Sequence, residues 1–354
     1  MIVGITETDA LEVFFEHVQL EVTGSCNMSC LHCRAWDEPR LGLSFPTMNG
    51  ILEFVDSEAE DKFGVTISGG EPFVRKDLPQ IIGLVASHSV GQITITTNGS
   101  LVTEDVLDQI LCHRQSVPVS IQVSIDSAVP SEHDKFRGHP GAFAKAAKAI
   151  ALVQERGLTA TMRATVCKGK IPTMKSLVEL AQSFQVTSIG FGTVVPFGRA
   201  IDNSMGMEPI EKRDYFLEMV RLKEEFGPSL DVITEDPLKF ALRRDDVWDY
   251  GGVDLDDECS IGGCTAGINT FNVTSRGLVT PCAVLPITIL DANQKSADEI
   301  RREYANSLIV RNLLVRKLNG KCGSCRLKQV CGGCRAVAYS LGGGLLGSDN
   351  TCWL

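Results

Sequence analysis

Six strand-like segments alternate with helix-like ones in the first half of this chain, and one face of nearly every strand is polar. The segments HVQLEVT (17–23), FGVTIS (63–68), QITITTN (92–98), VSIQVSID (119–126), TATMRATVC (159–167) and SIGFGTV (188–194) read as strands. Between them, 47–58, 77–88, 103–113, 141–156 and 173–184 carry helical periodicity, with Asp77 and Thr103 as expected N-caps. A repeated βα unit implies a parallel sheet. Such a sheet is apolar on both faces when helices cover both. Here Val18, Leu20 and Val22 oppose Gln19, Glu21 and Thr23, and Ile121, Val123 and Ile125 oppose Ser120, Gln122, Ser124 and Asp126. Helices on one side and a wet lumen on the other satisfy this pattern. The sequence therefore predicts an α/β open or partial barrel, with functional groups at the C-terminal ends of its strands.

The alternation stops after Ala200. A helix is expected over 208–226, then an acidic, Trp-containing connector, DDVWDYGGVDLDDE, and from Cys259 a region rich in Gly and Cys. The expected division is a barrel over 1–200, a helical and acidic connector over 201–258, and a second domain over 259–354 organised by its cysteines. A net charge of −10 without a basic stripe gives no nucleic-acid footprint. The N-terminus has no signal-peptide pattern and no apolar run reaches membrane-span length, so a soluble, cytoplasmic protein is expected. Thirteen cysteines in a reducing compartment then read as metal ligands or redox groups rather than disulfides.

Cys26, Cys30 and Cys33 follow the first strand with C-x3-C-x2-C spacing. Three thiolates can hold three irons of a 4Fe–4S cluster and leave the fourth open to a small molecule. Zinc with three protein ligands is the alternative. At the end of the second strand lies SGGEP, in which Gly69 and Gly70 permit close backbone approach and Glu71 can accept from an ammonium group; the plain reading is a Gly-Gly turn.

In this order and on consecutive strand ends, the two motifs resemble the radical S-adenosylmethionine (SAM) superfamily. The resemblance covers 17–200 and implies a partial (β/α)6 barrel. It also implies SAM chelated at the open iron and cleaved reductively to a 5′-deoxyadenosyl radical that abstracts a substrate hydrogen. CNMSCLHC matches the cluster motif, with His32 where an aromatic residue is common, and Gly69, Gly70, Glu71 and Pro72 match the methionine-binding motif. TTNG, with Asn98, fits the strand end that reaches the ribose, and SIDS, with Ser124, fits the next. HDKFRG places Arg137 where relatives have an arginine near the SAM carboxylate, and Arg163 is a further candidate. For each of these polar residues the alternative is a solvated loop group.

The C-terminal half runs Cys259-x4-Cys264-x12-Gly277-x4-Cys282, then Cys322-x2-Cys325-x5-Cys331-x2-Cys334-x17-Cys352. Eight cysteines suffice for two further 4Fe–4S clusters, with two zinc ribbons as the rival. The pattern and CGGCRA (331–336) resemble the SPASM auxiliary-cluster domain, although x2 separates Cys331 from Cys334 where x3 is usual. The resemblance implies one set of Cys259, Cys264, Cys282 and Cys334, and another of Cys322, Cys325, Cys331 and Cys352. It thus implies three 4Fe–4S clusters and SAM as cofactors, with an external flavodoxin- or ferredoxin-like electron donor. Cys112 is expected as an ordinary buried thiol. Cys167, at a strand end, is either buried packing or a hydrogen-atom donor to a substrate radical.

Relatives with this domain mostly modify peptides or proteins by crosslinking, epimerisation or oxidation, which makes a peptide the first expectation. Only 25 residues precede Cys26, so a peptide would need a separate recognition protein. A small molecule such as a sugar, nucleoside or tetrapyrrole is the alternative. A non-catalytic iron–sulfur or zinc scaffold is the alternative of another class, and a ligand set one short argues against it.

Overall fold

The computed structural model describes residues 1–5, 10–115, 117–242 and 261–354. The acidic stretch 245–258 of the expected connector and Cys259 lie outside these residues. An N-terminal hairpin, β1 (Ile2–Gly4) and β2 (Ala10–Glu12), precedes the main sheet. Six strands then alternate with helices. They are β3 (His17–Thr23), β4 (Phe63–Gly69), β5 (Val90–Thr97), β6 (Val119–Ser124), β7 (Thr159–Val166) and β8 (Ser188–Thr193). The helices are α1 (Phe45–Glu58), α2 (Leu78–Ala86), α3 (Glu104–His113), α4 (Pro130–Arg137), α5 (Ala142–Glu155) and α6 (Met174–Ser183), followed by α7 (Arg199–Asp202) and α8 (Pro209–Phe226). Every strand and helix expected from periodicity is present, within a few residues at its ends.

The sheet extends past residue 200 on both sides. Beyond β8 lies β9 (Asp231–Ile233), and beyond β3 lie β10 (Thr270–Val273), β11 (Leu278–Thr280) and β12 (Leu290–Asp291). All neighbours from β10 through β9 pair in parallel, whereas β11 and β12 are antiparallel additions. The edges are β12 and β9, so the barrel is open. The cysteine-rich region thus shares the sheet: Thr270–Val273 pairs residue for residue with His17–Leu20. Edge-to-face aromatic contacts bind the two parts together. Phe15 packs on Phe54 at 5.2 Å, on Phe271 at 5.1 Å and on Tyr304 at 5.4 Å between centroids. Such pairs add about 0.5–1.5 kcal/mol each beyond area burial.

The strand faces divide as their parity requires. Val18, Leu20, Ile67, Ile93, Ile121 and Met162 are fully buried against the helices. On the other face His17, Gln19, Thr66, Thr94, Gln122, Ser124 and Arg163 are only half-buried. They bond across the sheet: His17 Nε2 lies 3.0 Å from Thr66 Oγ1, and Gln19 donates to Ser68 Oγ at 2.6 Å.

Of the two expected caps, Thr103 accepts from Val106 N at 3.4 Å. Asp77 stands at the N-cap position but makes no side-chain cap. Its carboxylate is taken by the Arg75 guanidinium, at 2.9 and 2.7 Å, a charge-assisted bidentate pair that outcompetes a backbone N–H. Cys112 is exposed on α3, not buried. In the amphipathic pattern of that helix Leu107 and Ile110 take the buried stripe and leave Cys112 outside it.

Candidate active site

The cysteine loop leaves the C-terminal end of β3 and lies over the ends of β4 and β5. Its backbone is locked to SGGEP: Gly70 N donates to Thr23 O at 2.7 Å and Glu71 N to Ser25 O at 2.9 Å. A Cβ on Gly70 would overlap the Ser25 carbonyl and stand 3.0 Å from Cys26 N. The glycine therefore serves close approach of two backbones, beyond making a turn. The far side of the loop is held the same way, since a Cβ on Gly198 would meet Cys33 O at 2.7 Å.

Cys26 is exposed and Cys30 and Cys33 are half-buried. Although Cys26 as a whole is exposed, its sulfur is partly enclosed, and this, with the neighbouring Glu71, Cys30 and Cys33, pushes the Cys26 thiol up. Three thiols this close together are a donor set suited to a cation that takes thiolates. Among the described residues no three His, Cys, Asp or Glu side chains are arranged for a single metal ion. A multi-iron cluster places its thiolates on separate irons and fits this loop better than zinc, whose ligands converge on one centre.

Glu71 is 1% exposed, and its carboxylate faces the protein. Oε1 accepts from Phe73 N at 3.1 Å and Thr97 Oγ1 at 2.7 Å, and Oε2 accepts from Asn98 N at 2.7 Å. Burial raises its pKa while these three donors pull it back. Three acceptor positions are filled, so Glu71 first of all fastens the end of β4 to the end of β5. Pro72, also buried, starts a short 3-10 turn that Glu71 caps. Asn98 then reaches the cysteine loop, donating to Asn27 Oδ1 at 3.0 Å, while Asn27 donates to Ser100 Oγ at 2.8 Å. Asn27 was not singled out from sequence; the available signal was a polar residue inside the cysteine spacing.

Arg137 is 8% exposed and its Nε lies 2.7 Å from Asp126 Oδ2. Its Nη1 donates to Cys30 Sγ at 3.8 Å, so the group it faces is a thiol of the triad. Burial disfavours both charges, but the pair outweighs it, holding Asp126 below and Arg137 above their usual ranges. His32 stacks on Phe136 at 4.7 Å, and burial pushes its pKa down to about 4. Ser124 faces the lumen opposite Arg163 in register. Cys167 is 5% exposed and packs with Phe136, Val194 and Ala200, under Leu31 of the cysteine loop. Burial raises its pKa and keeps it a thiol.

Beneath this site His133 is 1% exposed and its Nδ1 accepts from Asp126 N at 3.1 Å. Burial first, and then Arg137, pushes its pKa down to about 4. The unfolded chain binds this proton below pH 6.5 and the folded chain only below about 4. Stability is therefore expected to fall as pH drops from 6.5 towards 4, by on the order of 2–3 kcal/mol from this group. Urea titrations of wild type and His133→Gln at pH 7 and pH 4.5 check it. The glutamine variant should lose correspondingly less on acidification.

In the C-terminal region two groups of thiols stand together. Cys264 neighbours Cys282 and Cys334, and Cys352 neighbours Cys331 and Cys322. Backbone N–H groups point at sulfur: Leu327 N at Cys325, Gly333 N at Cys331 and Asp349 N at Cys322, each at 3.4 Å. Such donors stabilise thiolates, which suits iron–sulfur ligation.

Residues 20–182 match the family described as the Radical SAM superfamily. This segment is a radical SAM domain. Among its relatives, an AdoMet-dependent heme synthase of Methanosarcina barkeri is 29% identical over 342 residues, 94% of each chain. The mycofactocin maturase MftC of Mycobacterium tuberculosis is 26% identical, over 94% of this chain and 81% of that one. In fold, this radical SAM enzyme is similar to Streptococcus suis SuiB bound to precursor peptide SuiA, with TM-score 0.76, 18% identity, and coverage of 97% of this chain and 76% of that one. Among the described residues, no helix is long and apolar enough to cross a membrane.

Proposed function

We propose that this radical SAM enzyme acts on a small, carboxylate-bearing molecule of tetrapyrrole type. The cluster held by Cys26, Cys30 and Cys33 would supply reductive cleavage of SAM and hydrogen-atom abstraction from that substrate. The protein's share is to place the groups. SGGEP and Asn98 border the cysteine loop on the β4–β5 side and are the SAM side of the lumen. Arg163 leans the other way, towards β8 and β9, with Nη1 3.6 Å from the exposed Glu235. The strand beneath it is bare: a Cβ on Gly192 would stand 2.9 Å from Arg163 Nη2, and one on Gly190 3.6 Å from Nη1. This half-exposed guanidinium over a glycine floor is the observation that carries the reading, because it offers room and one cation to an anionic substrate away from the SAM side. The heme synthase relative, matched over 94% of both chains, supports the tetrapyrrole class.

Arg163→Gln is expected to weaken substrate binding about 10–100-fold, the cost of one charge-assisted pair. Uncoupled 5′-deoxyadenosine formation should stay unchanged. Anaerobic reconstitution, then assay with an iron coproporphyrin and mass spectrometry for lost carboxylate carbon, tests the substrate. No mass change and no stimulation of SAM cleavage would sink the reading. A ribosomal peptide substrate is the second reading, supported by the maturase relative; the same SAM-cleavage assay with candidate precursor peptides separates the two. An external one-electron donor of flavodoxin or ferredoxin type would supply the reductant.

A further inference from the structure

The C-terminal region buries two guanidinium groups, Arg316 and Arg335, each 3% exposed. Among the described residues, every partner of Arg316 is a backbone carbonyl. Nη2 donates to Gly262 O and to Cys264 O, the latter at 3.1 Å, and Nη1 donates to Lys328 O at 3.3 Å; Nε has no partner. Arg335 likewise donates to the carbonyls of Gly333, Leu345 and Gly347, at 3.3, 3.2 and 2.6 Å. The buried carboxylate nearby, Asp349, is 0% exposed and is spent on Cys334 N at 2.9 Å and on Thr351 N and Oγ1 at 2.9 and 2.7 Å. Among the described residues, then, this region buries more fixed positive charge than negative. An uncompensated buried charge is costly, and such groups persist when a countercharge stands beside them.

The local sequence gives up much to place Arg316. Its φ is 48°, in the left-handed region that side chains avoid. In CGGC, Gly332 has φ 69°, and a Cβ there would overlap Arg316 Nη1. The guanidinium thus occupies the space of the missing side chain beside Cys331. It is also bonded to the carbonyl of Cys264, whose N donates to Cys331 O at 3.0 Å. Arg316 sits at the seam between the two groups of thiols. Burial lowers its pKa, and the neighbouring Cys264 and Cys331 raise it back.

We propose that Arg316 is a shared counter-charge for two thiolate-held iron–sulfur centres. One centre includes Cys264, Cys282 and Cys334, and the other Cys322, Cys325, Cys331 and Cys352; Arg316 raises the reduction potential of both. This rests on reading the C-terminal cysteines as cluster ligands. A centre ligated by four thiolates carries net negative charge that grows by one on taking an electron from the donor. A fixed cation beside it therefore favours the reduced form. Arg316 is a positioning and tuning residue and touches no substrate.

The test is a redox titration followed by electron paramagnetic resonance on reconstituted full-length protein carrying Cys26→Ala, Cys30→Ala and Cys33→Ala, so that only the C-terminal centres report. Arg316→Met should shift both midpoints to more negative values by at least about tenfold in the one-electron equilibrium, about 59 mV. Arg316→Lys, which keeps the charge, should stay near the parent. Parent-like potentials in Arg316→Met would overturn the proposal. So would Arg316→Lys shifting as far as Arg316→Met, because the carbonyl bonds rather than the charge would then matter. If Arg316→Met takes up no iron, full loading of Arg316→Lys supports the charge role, and its failure to load refutes it. A parent protein with no iron at all would refute the cluster reading itself, and this proposal with it.

Discussion

Cys30→Ala should abolish SAM cleavage while leaving the chain folded. The triad sits in a loop whose shape is set by other groups: the Gly70 and Glu71 backbone bonds to Thr23 and Ser25, and the Asn27–Asn98 bridge. The Arg137–Asp126 pair beneath Cys30, at 2.7 Å, survives the substitution, as does the 2.9 Å bond from Thr165 N to Asp126. On the proposed reading, what is lost is one of three ligands to a centre that has none to spare. Changes to groups that merely support metal ligands cost about 10–100-fold. Deleting a ligand should exceed that, with 5′-deoxyadenosine formation falling on the order of 10³-fold or more. If the chain carries the three clusters proposed for it, iron should drop by about a third of roughly twelve atoms. Cys112→Ala, on the exposed face of α3, is the control and should change neither quantity. Cleavage within tenfold of wild type in Cys30→Ala would remove the triad from the mechanism.

The barrel was legible because strand parity carries its information locally. A polar residue at every second position of β3 to β7 faces the lumen whatever lies elsewhere in the chain, and the observed register pairs these positions across the sheet, Gln19 with Thr66 and Ser124 with Arg163. Partner choice was not legible in the same way. Asp77 looks like a cap in sequence, but Arg75 two residues earlier claims its carboxylate. Glu71 reads in sequence as an acceptor for an ammonium group, and two of its three donors in the structure, Thr97 Oγ1 and Asn98 N, come from the end of β5, 26 and 27 residues away.

Charges brought together from distant segments were the least visible. Lys212 of α8 is 2% exposed and pairs with Asp236 and Thr193 at the ends of β9 and β8. Glu21, on the lumen face of β3, is neutralised by Arg34 of the cysteine loop. Neither spacing marks a motif, because each pair is made by the sheet bringing strand ends together. Alternation also could not place Thr270–Val273. Four residues are too few to display a period, and β10 is fixed by its pairing with β3 rather than by its own pattern.

Those long-range partners make Glu71→Ala the second large effect expected. Removing the carboxylate leaves Phe73 N, Thr97 Oγ1 and Asn98 N without their acceptor in a site where Glu71 itself is 1% exposed. Each orphaned buried donor costs about 1–3 kcal/mol, so a loss of roughly 3–5 kcal/mol is expected after local relaxation. Glu71→Gln should be intermediate. Its carbonyl can serve one side, but its amide nitrogen then meets another donor where an acceptor is needed. The change should reach SAM as well, because Asn98 is positioned by Glu71 through its backbone and reaches Asn27 in the cysteine loop through its side chain. Urea unfolding gives the first effect and equilibrium binding of SAM to the reconstituted variant the second. A Glu71→Ala protein within about 1 kcal/mol of wild type would mean that the three donors find water or new partners, and the strand ends would not be fastened by this carboxylate. If stability falls as expected but SAM binds unchanged, Glu71 holds the barrel mouth together without shaping the cofactor side of it.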